Sequence, residues 1–280
     1  MSVGLSPKLT VSHSAGFFSC TTVFLEHILD YYNQHHVPPH HIDSTCMYTW
    51  YRLPGTAGDI KTEYFLDQDL SVDMPTYQEG QERGPIRTTH VPIEQQYVDY
   101  RHVNYADLRP FIQRYFSPSP TIRFTVQDLE EKYDVEYENT CVLFYRGNDK
   151  AKETTLPNYD QYIQTARSLL RIQPTLRFLV QSDETEFLDV MKAEFPDNHV
   201  VFYDEIRHMS RNPRTTVDRV YFQQNHHMSK LYLAITLVMS RCKYVVCGSG
   251  NCSLWIALFR GHGDGITQFG AWSPPSFTAV

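Results

Sequence analysis

The sequence predicts an α/β protein of two parallel-sheet units, residues 1–138 and 139–280, that face one another across a cleft. Three observations carry that expectation. Through the second half, apolar runs of strand length alternate with amphipathic runs of helix length, the order that builds right-handed crossovers. The break Ser117-Pro118-Ser119-Pro120 opens a stretch, 117–139, with the character of a linker. A chain of 280 residues is also long enough for two cores of about 150 residues each.

Taken in order, residues 8–12 form the first strand, which runs into polar His13-Ser14-Ala15-Gly16. A helix follows over 20–33, with Val23, Phe24, His27, Ile28 and Tyr31 at helical spacing. From 37 to 101 the chain is rich in Pro, Gly, Asp and Gln, which predicts short pieces around 48–51 and 63–66 joined by long loops. Helices are expected over 105–115 and 126–133. The second half has cleaner signals. Strand 141–145 opens into Arg146-Gly147-Asn148-Asp149-Lys150 and leads to a helix over 159–171. Strand 176–181, stopped by Ser182-Asp183, precedes helix 184–195. Strand 200–203 precedes a polar loop reaching Asn225, a helix over 231–240 and strand 244–247. Gly248-Ser249-Gly250-Asn251 then turns into a helix over 252–260. No internal repeat of fixed period is visible.

Composition narrows the function classes. Lys and Arg number 25 against 32 Asp and Glu, a net charge of −7, so nucleic acid is not an expected partner. With 41% hydrophobic residues, 19 Tyr and 16 Phe, the chain is too apolar to be disordered. The longest apolar run, 231–239, is about half the roughly 18 residues of a spanning helix, so no membrane span is expected. The first fourteen residues lack the basic flank and apolar stretch of a signal peptide, and six scattered cysteines suit reduced thiols; together these predict a cytoplasmic protein.

Ligands of an open parallel sheet bind outside the carboxyl ends of its strands. That rule selects four loops: 146–150, Ser182-Asp183, 204 onward, and 248–253. In the last, two glycines permit a tight turn, and the amides at the start of the following helix suit a phosphate, with Ser249, Gly250, Asn251, Cys252 and Ser253 as candidate contacts. It is neither GxGxxG nor a P-loop. Arg146 and Lys150, at another strand exit, can neutralise a departing diphosphate. His227 and Ser229, before the helix expected at 231–240, are candidate ribose or phosphate contacts.

Tyr145-Arg146-Gly147-Asn148-Asp149-Lys150, read with Phe144, resembles the His-x-Arg-Arg-x-Asp-Lys signature of the fucosyltransferase-like GT-B glycosyltransferases, which include the α1,6- and protein O-fucosyltransferases. Ser182-Asp183-Glu184 resembles the Thr-Asp-Asp segment of that family, and 244–253 its final phosphate-binding motif. Gly16-Phe17-Phe18-Ser19 is similar in position to its first glycine loop. The N-terminal style also resembles small glycosyltransferases of large DNA viruses that infect algae, some of which transfer xylose, which would put the protein in the host cytoplasm. The resemblance implies a GT-B fold of two Rossmann-like domains. It implies a nucleotide-sugar donor held by Arg146, Lys150, Ser182, Asp183 and 249–253, and an oligosaccharide or glycoprotein acceptor beside Gly16 and Phe17. Phe144 stands where the family has the histidine associated with guanine, and Gly147 where it has a second arginine. Those departures favour UDP-xylose over GDP-fucose as donor.

Inverting transfer needs a base. Asp73, in the loop after Leu70-Ser71-Val72, and Glu153, within one residue of a glutamate proposed as base in the α1,6 branch, rank level; His13, at the exit of the first strand, ranks third. No metal is required in this reading. The competing metal-dependent GT-A reading uses Asp67-Gln68-Asp69, two carboxylates at the spacing that holds a divalent ion on a diphosphate. Another alternative is a sugar- or nucleotide-binding module without turnover. Among thirteen histidines, the cluster His35-His36 with His40-His41 has no neighbouring Cys or acid at ligand spacing for zinc.

Overall fold

The protein is described here from a computed structural model, over residues 8–68, 74–75, 84–88, 99–153 and 155–270. Strands are β1 (Leu9–Ser12), β2 (Ile42–Cys46), β3 (Phe65–Leu66), β4 (Ser117–Pro118), β5 (Thr140–Tyr145), β6 (Arg177–Ser182), β7 (His199–Val200), β8 (Tyr244–Gly248) and β9 (Ile266–Phe269). Helices are α1 (Phe17–His35), α2 (Tyr105–Tyr115), α3 (Pro120–Tyr133), α4 (Tyr159–Ile172), α5 (Thr185–Glu194), α6 (Val217–Val220), α7 (Asn225–Arg241) and α8 (Asn251–Arg260).

The centre is a five-stranded sheet in the order β7-β6-β5-β8-β9, parallel at every pair. β5 is central because every one of its residues is apolar enough to be buried on either face, the signature of a strand covered on both sides. Its register sets Phe144 beside Gln181 on β6 and Cys247 on β8, so the three strand ends are level where the chain leaves the sheet. One face packs on α4 and α5, where Tyr145 and Phe187 stack at 4.8 Å. The other face carries Val142, Phe144 and Val245 into a cluster with α7, α8 and the N-terminal half.

That second cluster runs without interruption from Val11 on β1 to Leu258 on α8. Trp255, fully buried, lies 4.8 Å from Phe116 by ring centroids, and its indole N–H donates to Thr22 on α1 at 3.0 Å. Thr22 also donates to Asn251 Oδ1 at 3.0 Å, which fixes the starts of α1 and α8 relative to one another. Among the described residues the N-terminal half has a two-stranded parallel sheet, β1 with β2, and a two-stranded antiparallel one, β3 with β4, rather than a full parallel sheet.

The stretch expected as a linker is structured. Ser117 and Pro118 pair with β3, and Ser119 caps α3, accepting from Ile122 N while its hydroxyl donates to Glu63 O at 2.9 Å. Pro120 occupies the first helical position, where a missing N–H costs nothing. A proline pair that reads as a break is therefore a helix start. β2 and β9 were not expected, because Ile42-Asp43-Ser44-Thr45-Cys46 and Ile266-Thr267-Gln268-Phe269 are too polar to stand out. α7 begins at Asn225, six residues before the apolar stretch that predicted it. No helix among the described residues is long and apolar enough to cross a membrane, and all six cysteines are unpaired.

Replacing Ser119 by Ala removes both the cap of α3 and its tie to Glu63. Urea unfolding should show a loss of about 1 kcal/mol, typical of a helix cap; an unchanged midpoint would mean that Pro120 alone sets the helix start.

Candidate functional site

The starts of α1 and α8 both lack a side-chain cap. The first turn of α1 follows Gly16, and its first intrahelical bond is Cys20 N to Gly16 O, so the amides of residues 17–19 have no partner inside the helix. The first turn of α8 follows Gly250, with Leu254 N to Gly250 O as its first bond. Thr22 couples these starts, and both border one cleft of about 460 Å³. Partial positive charge from two helix ends thus converges on a single space.

The turn before α8 is braced from both halves. Tyr100 OH lies 2.8 Å from Ser253 Oγ and accepts from Gly250 N at 3.2 Å. Ser253 donates to Gly248 O at 2.7 Å, and Ser249 to Phe269 O at 2.9 Å. These hydroxyls, expected as phosphate donors, are engaged within the turn, which leaves the amides of 251–253 facing the cleft. Cys252 is buried beneath them; burial pushes its thiol up to about 11, so it stays neutral.

Arg146 and Lys150 line the opposite wall. Burial works against the Arg146 charge, but Asp183 at 3.2 Å, Tyr232 OH at 3.4 Å and Asp149 at 3.4 Å hold it cationic. Lys150 reaches over the turn, its ammonium 2.6 Å from Glu153 and its chain end in van der Waals range of any side chain that replaced Gly250. Behind this wall Asp183 accepts from Gly147 N at 2.9 Å, and a Cβ on Gly147 would overlap the Glu184 carboxylate and displace it. Asn148, buried and in the left-handed region at φ 42°, donates to Asp183 O at 2.7 Å and accepts from Asn212 N at 2.8 Å. It thereby carries the loop bearing Arg214 to the cleft rim.

The cleft also holds Asp149, the acid of the motif quoted from sequence, and Lys152, Arg214, Asp218 and Arg219, which were not singled out there. The sheet-edge rule selected the loop after β7 but no residue in it, since only the Asn148 staple shows which part turns inward. Arg146, Lys150, Lys152, Arg214 and Arg219 give five cations against three carboxylates, Asp149, Glu153 and Asp218. In a chain of net charge −7 the cleft is locally basic. Asp218 is held by Arg207 at 2.5 Å and Tyr51 OH at 3.0 Å. Trp50, from the N-terminal half, flanks it, 5.8 Å from the Arg219 guanidinium.

Gly16, Phe17, Arg146, Lys150, Glu153 and 249–253 all line the cleft. Others do not. Ser182 and Asp183 sit behind the wall and position it, Ser182 Oγ accepting from Glu184 N at 2.9 Å. His227 is exposed on α7, and Ser229 is buried against Tyr64 OH at 2.8 Å; both lie within the helix that was expected to start after them, and neither reaches the cleft. His13 reaches it only through Ser19, at 3.0 Å, and burial, with His27 adding to it, lowers the imidazole's pKa. Asp73 and Asp69 lie outside the described residues. Asp67 pairs with the buried Lys61 ammonium away from the cleft, so its carboxylate serves the fold. No group of three or more metal-ligating side chains occurs among the described residues.

No protein-family model matches the chain, and no curated protein does. Among solved structures it is similar to the NodZ α-1,6-fucosyltransferase soaked with GDP-fucose, at 10% identity and a TM-score of 0.36 over 56% of this chain and 47% of that one. A NodZ structure from Bradyrhizobium gives 11%, 0.33, 52% and 44% by the same measures, and one co-crystallised with GDP gives 12%, 0.35, 58% and 48%. The match spans about half the length of those chains.

Asp149 is raised above its ordinary value by burial first, with Arg146 opposing and Asp183 and Glu153 adding to the rise. The unfolded chain therefore releases this proton at a lower pH than the folded one, and the stability tied to it is lost as pH rises from the unfolded value through the folded one. Asp149→Asn should melt higher than the parent at pH 7, the difference closing below the unfolded carboxyl value of 3.8. A variant less stable at pH 7 would mean that attraction to Arg146 outweighs burial.

Proposed function

We propose that the protein is a glycosyltransferase that moves a sugar from a nucleoside diphosphate sugar to a glycan hydroxyl. The observation that carries this reading is the convergence of two uncapped helix starts with Arg146 and Lys150 on one cleft, an arrangement built for a polyanion of diphosphate size. In this reading residues 139–280 take the donor and residues 1–138 present the acceptor beside Gly16, Phe17 and Trp50, in the manner of a GT-B enzyme.

The reaction follows from those roles. The acceptor oxygen attacks the anomeric carbon, the bond from that carbon to the diphosphate oxygen breaks, and the acceptor proton passes to a carboxylate. Negative charge grows on the leaving oxygen, where Arg146, Lys150 and the amides of 251–253 stabilise it without reorganising. Glu153 is the proposed base; it is a carboxylate lining the cleft, which His13 reaches only through Ser19, and this supports it over His13. Because protein cations and helix ends take the charge, turnover should persist in excess chelator. Loss that manganese restores would favour the Asp67–Asp69 alternative.

The donor test is thermal stabilisation by UDP-xylose, other UDP sugars and GDP-fucose, since a ligand that binds only the native state raises its melting temperature. With Phe144 in place of a guanine-associated histidine, a UDP sugar is expected to stabilise more; a clear preference for GDP-fucose reverses the donor assignment and leaves the activity class standing. Binding with neither transfer nor donor hydrolysis would make the protein a non-catalytic module.

Arg146→Ala should lower turnover by roughly 10²–10³-fold, the usual effect of removing one such donor, with folding intact by circular dichroism. Near-parental turnover would reduce Arg146 to a structural partner of Asp183. Glu153→Gln should keep donor affinity while transfer falls by roughly 10²–10⁴-fold, the range for general base catalysis. If it transfers normally and Asp73→Asn does not, the base lies in the acceptor-side loop.

A further inference from the structure

Behind the Arg146 wall lies a second, smaller cavity of about 60 Å³, which meets the cleft along Phe144, Arg146, Asp218 and Tyr232. Half its lining is apolar, with Phe144, Met228, Tyr232 and Ile235 among it, and half is polar, including Arg146, Asp183, Glu205, Arg207 and Asp218. Gln181, beside Phe144 in the register of β5 and β6, is 2% exposed and lines this space. Neither its amide nitrogen nor its amide oxygen has a hydrogen-bond partner. An amide buried with both ends unmet costs free energy that a fold built for stability alone would shed by placing a leucine there.

We propose that Gln181 is the base-reading residue of the nucleotide site, pairing its amide with the edge of a flat heterocycle that offers one donor beside one acceptor. This rests on the nucleotide-sugar reading and adds which residue recognises the nucleotide and by what chemistry. The apolar half of the lining suits the faces of an aromatic ring, and the Gln181 amide suits the –NH–C(=O)– edge shared by uracil and guanine. The space equals about two water molecules, so it admits an edge of the ring while the rest remains between Phe144 and Tyr232 at the junction with the cleft. From there the ribose and diphosphate lead toward Arg146 and the start of α8.

The test separates base from diphosphate. Gln181→Leu and Gln181→Met, both apolar and close in size, are compared with the parent by calorimetric titration with UDP, GDP, uridine, guanosine and pyrophosphate. The expected result is a roughly 10–100-fold loss of affinity for whichever nucleotide and nucleoside the parent binds, with pyrophosphate unchanged. Melting temperatures should be equal or higher, because the substitution removes an unpaired buried amide. Unchanged nucleotide affinity, or variants that melt lower with nucleotide affinity intact, would overturn the proposal and make Gln181 a structural residue served by internal water. A parent that binds uridine or guanosine but not pyrophosphate would retain the role of Gln181 while removing the diphosphate reading. A parent that binds no nucleoside and no nucleotide would remove both.

Discussion

The architecture of the site depends on two adjacent carboxylates placed where β6 ends. Asp183 and Glu184 are almost wholly buried, a position that costs several kcal/mol for an unpaired carboxylate. Asp183 takes Arg146 and the Gly147 amide; Glu184 takes Arg211 at 2.8 Å and the Tyr159 hydroxyl. These four partners come from three separate elements. Satisfying these two acids therefore forces the chain after β5, the start of α4 and the loop after β7 to meet at one edge of the sheet. The glycine at 147 and the left-handed asparagine at 148 stand at that meeting.

The same constraint decides which charges remain for a ligand. Asp183 holds the Nε side of Arg146, while the ends of its guanidinium touch only a tyrosine hydroxyl and a carboxylate at 3.4 Å, long for a charge-assisted bond. An anion entering the cleft can compete for those ends without disturbing the anchor. Lys150, by contrast, is held at 2.6 Å by Glu153, so its charge is shared until a stronger anion draws it away.

Much of the second half was legible in the sequence, because a parallel sheet covered on both faces writes its strands as continuous apolar runs, as in Cys141-Val142-Leu143-Phe144-Tyr145. The loops at their ends follow from the sheet-edge rule, which located Arg146, Lys150 and the 248–253 turn. β2, β9 and the early start of α7 stayed hidden because their hydrophobicity comes from tertiary cover, and His227 and Ser229 were misplaced with that helix start. Arg214 and Asp218 were unreadable for a different reason. Each is an ordinary polar loop residue until Asn148, Asn212 and Arg207 fix the loop that carries it. A lone Asp67-Gln68-Asp69 looked like chemistry, and a buried lysine had claimed its first acid.

The Thr22 hydroxyl, wedged between α1, the Trp255 indole and Asn251, bears on kinetics as well as on shape. Two helix starts tied through a shared, packed core hold the cleft-side ends of α1 and α8 in one arrangement without a bound ligand. Such a cleft pays little ordering entropy on binding. Anion capture in the cleft should then proceed as a single-step encounter whose rate rises linearly with concentration and falls with added salt, with no slow closing phase behind it.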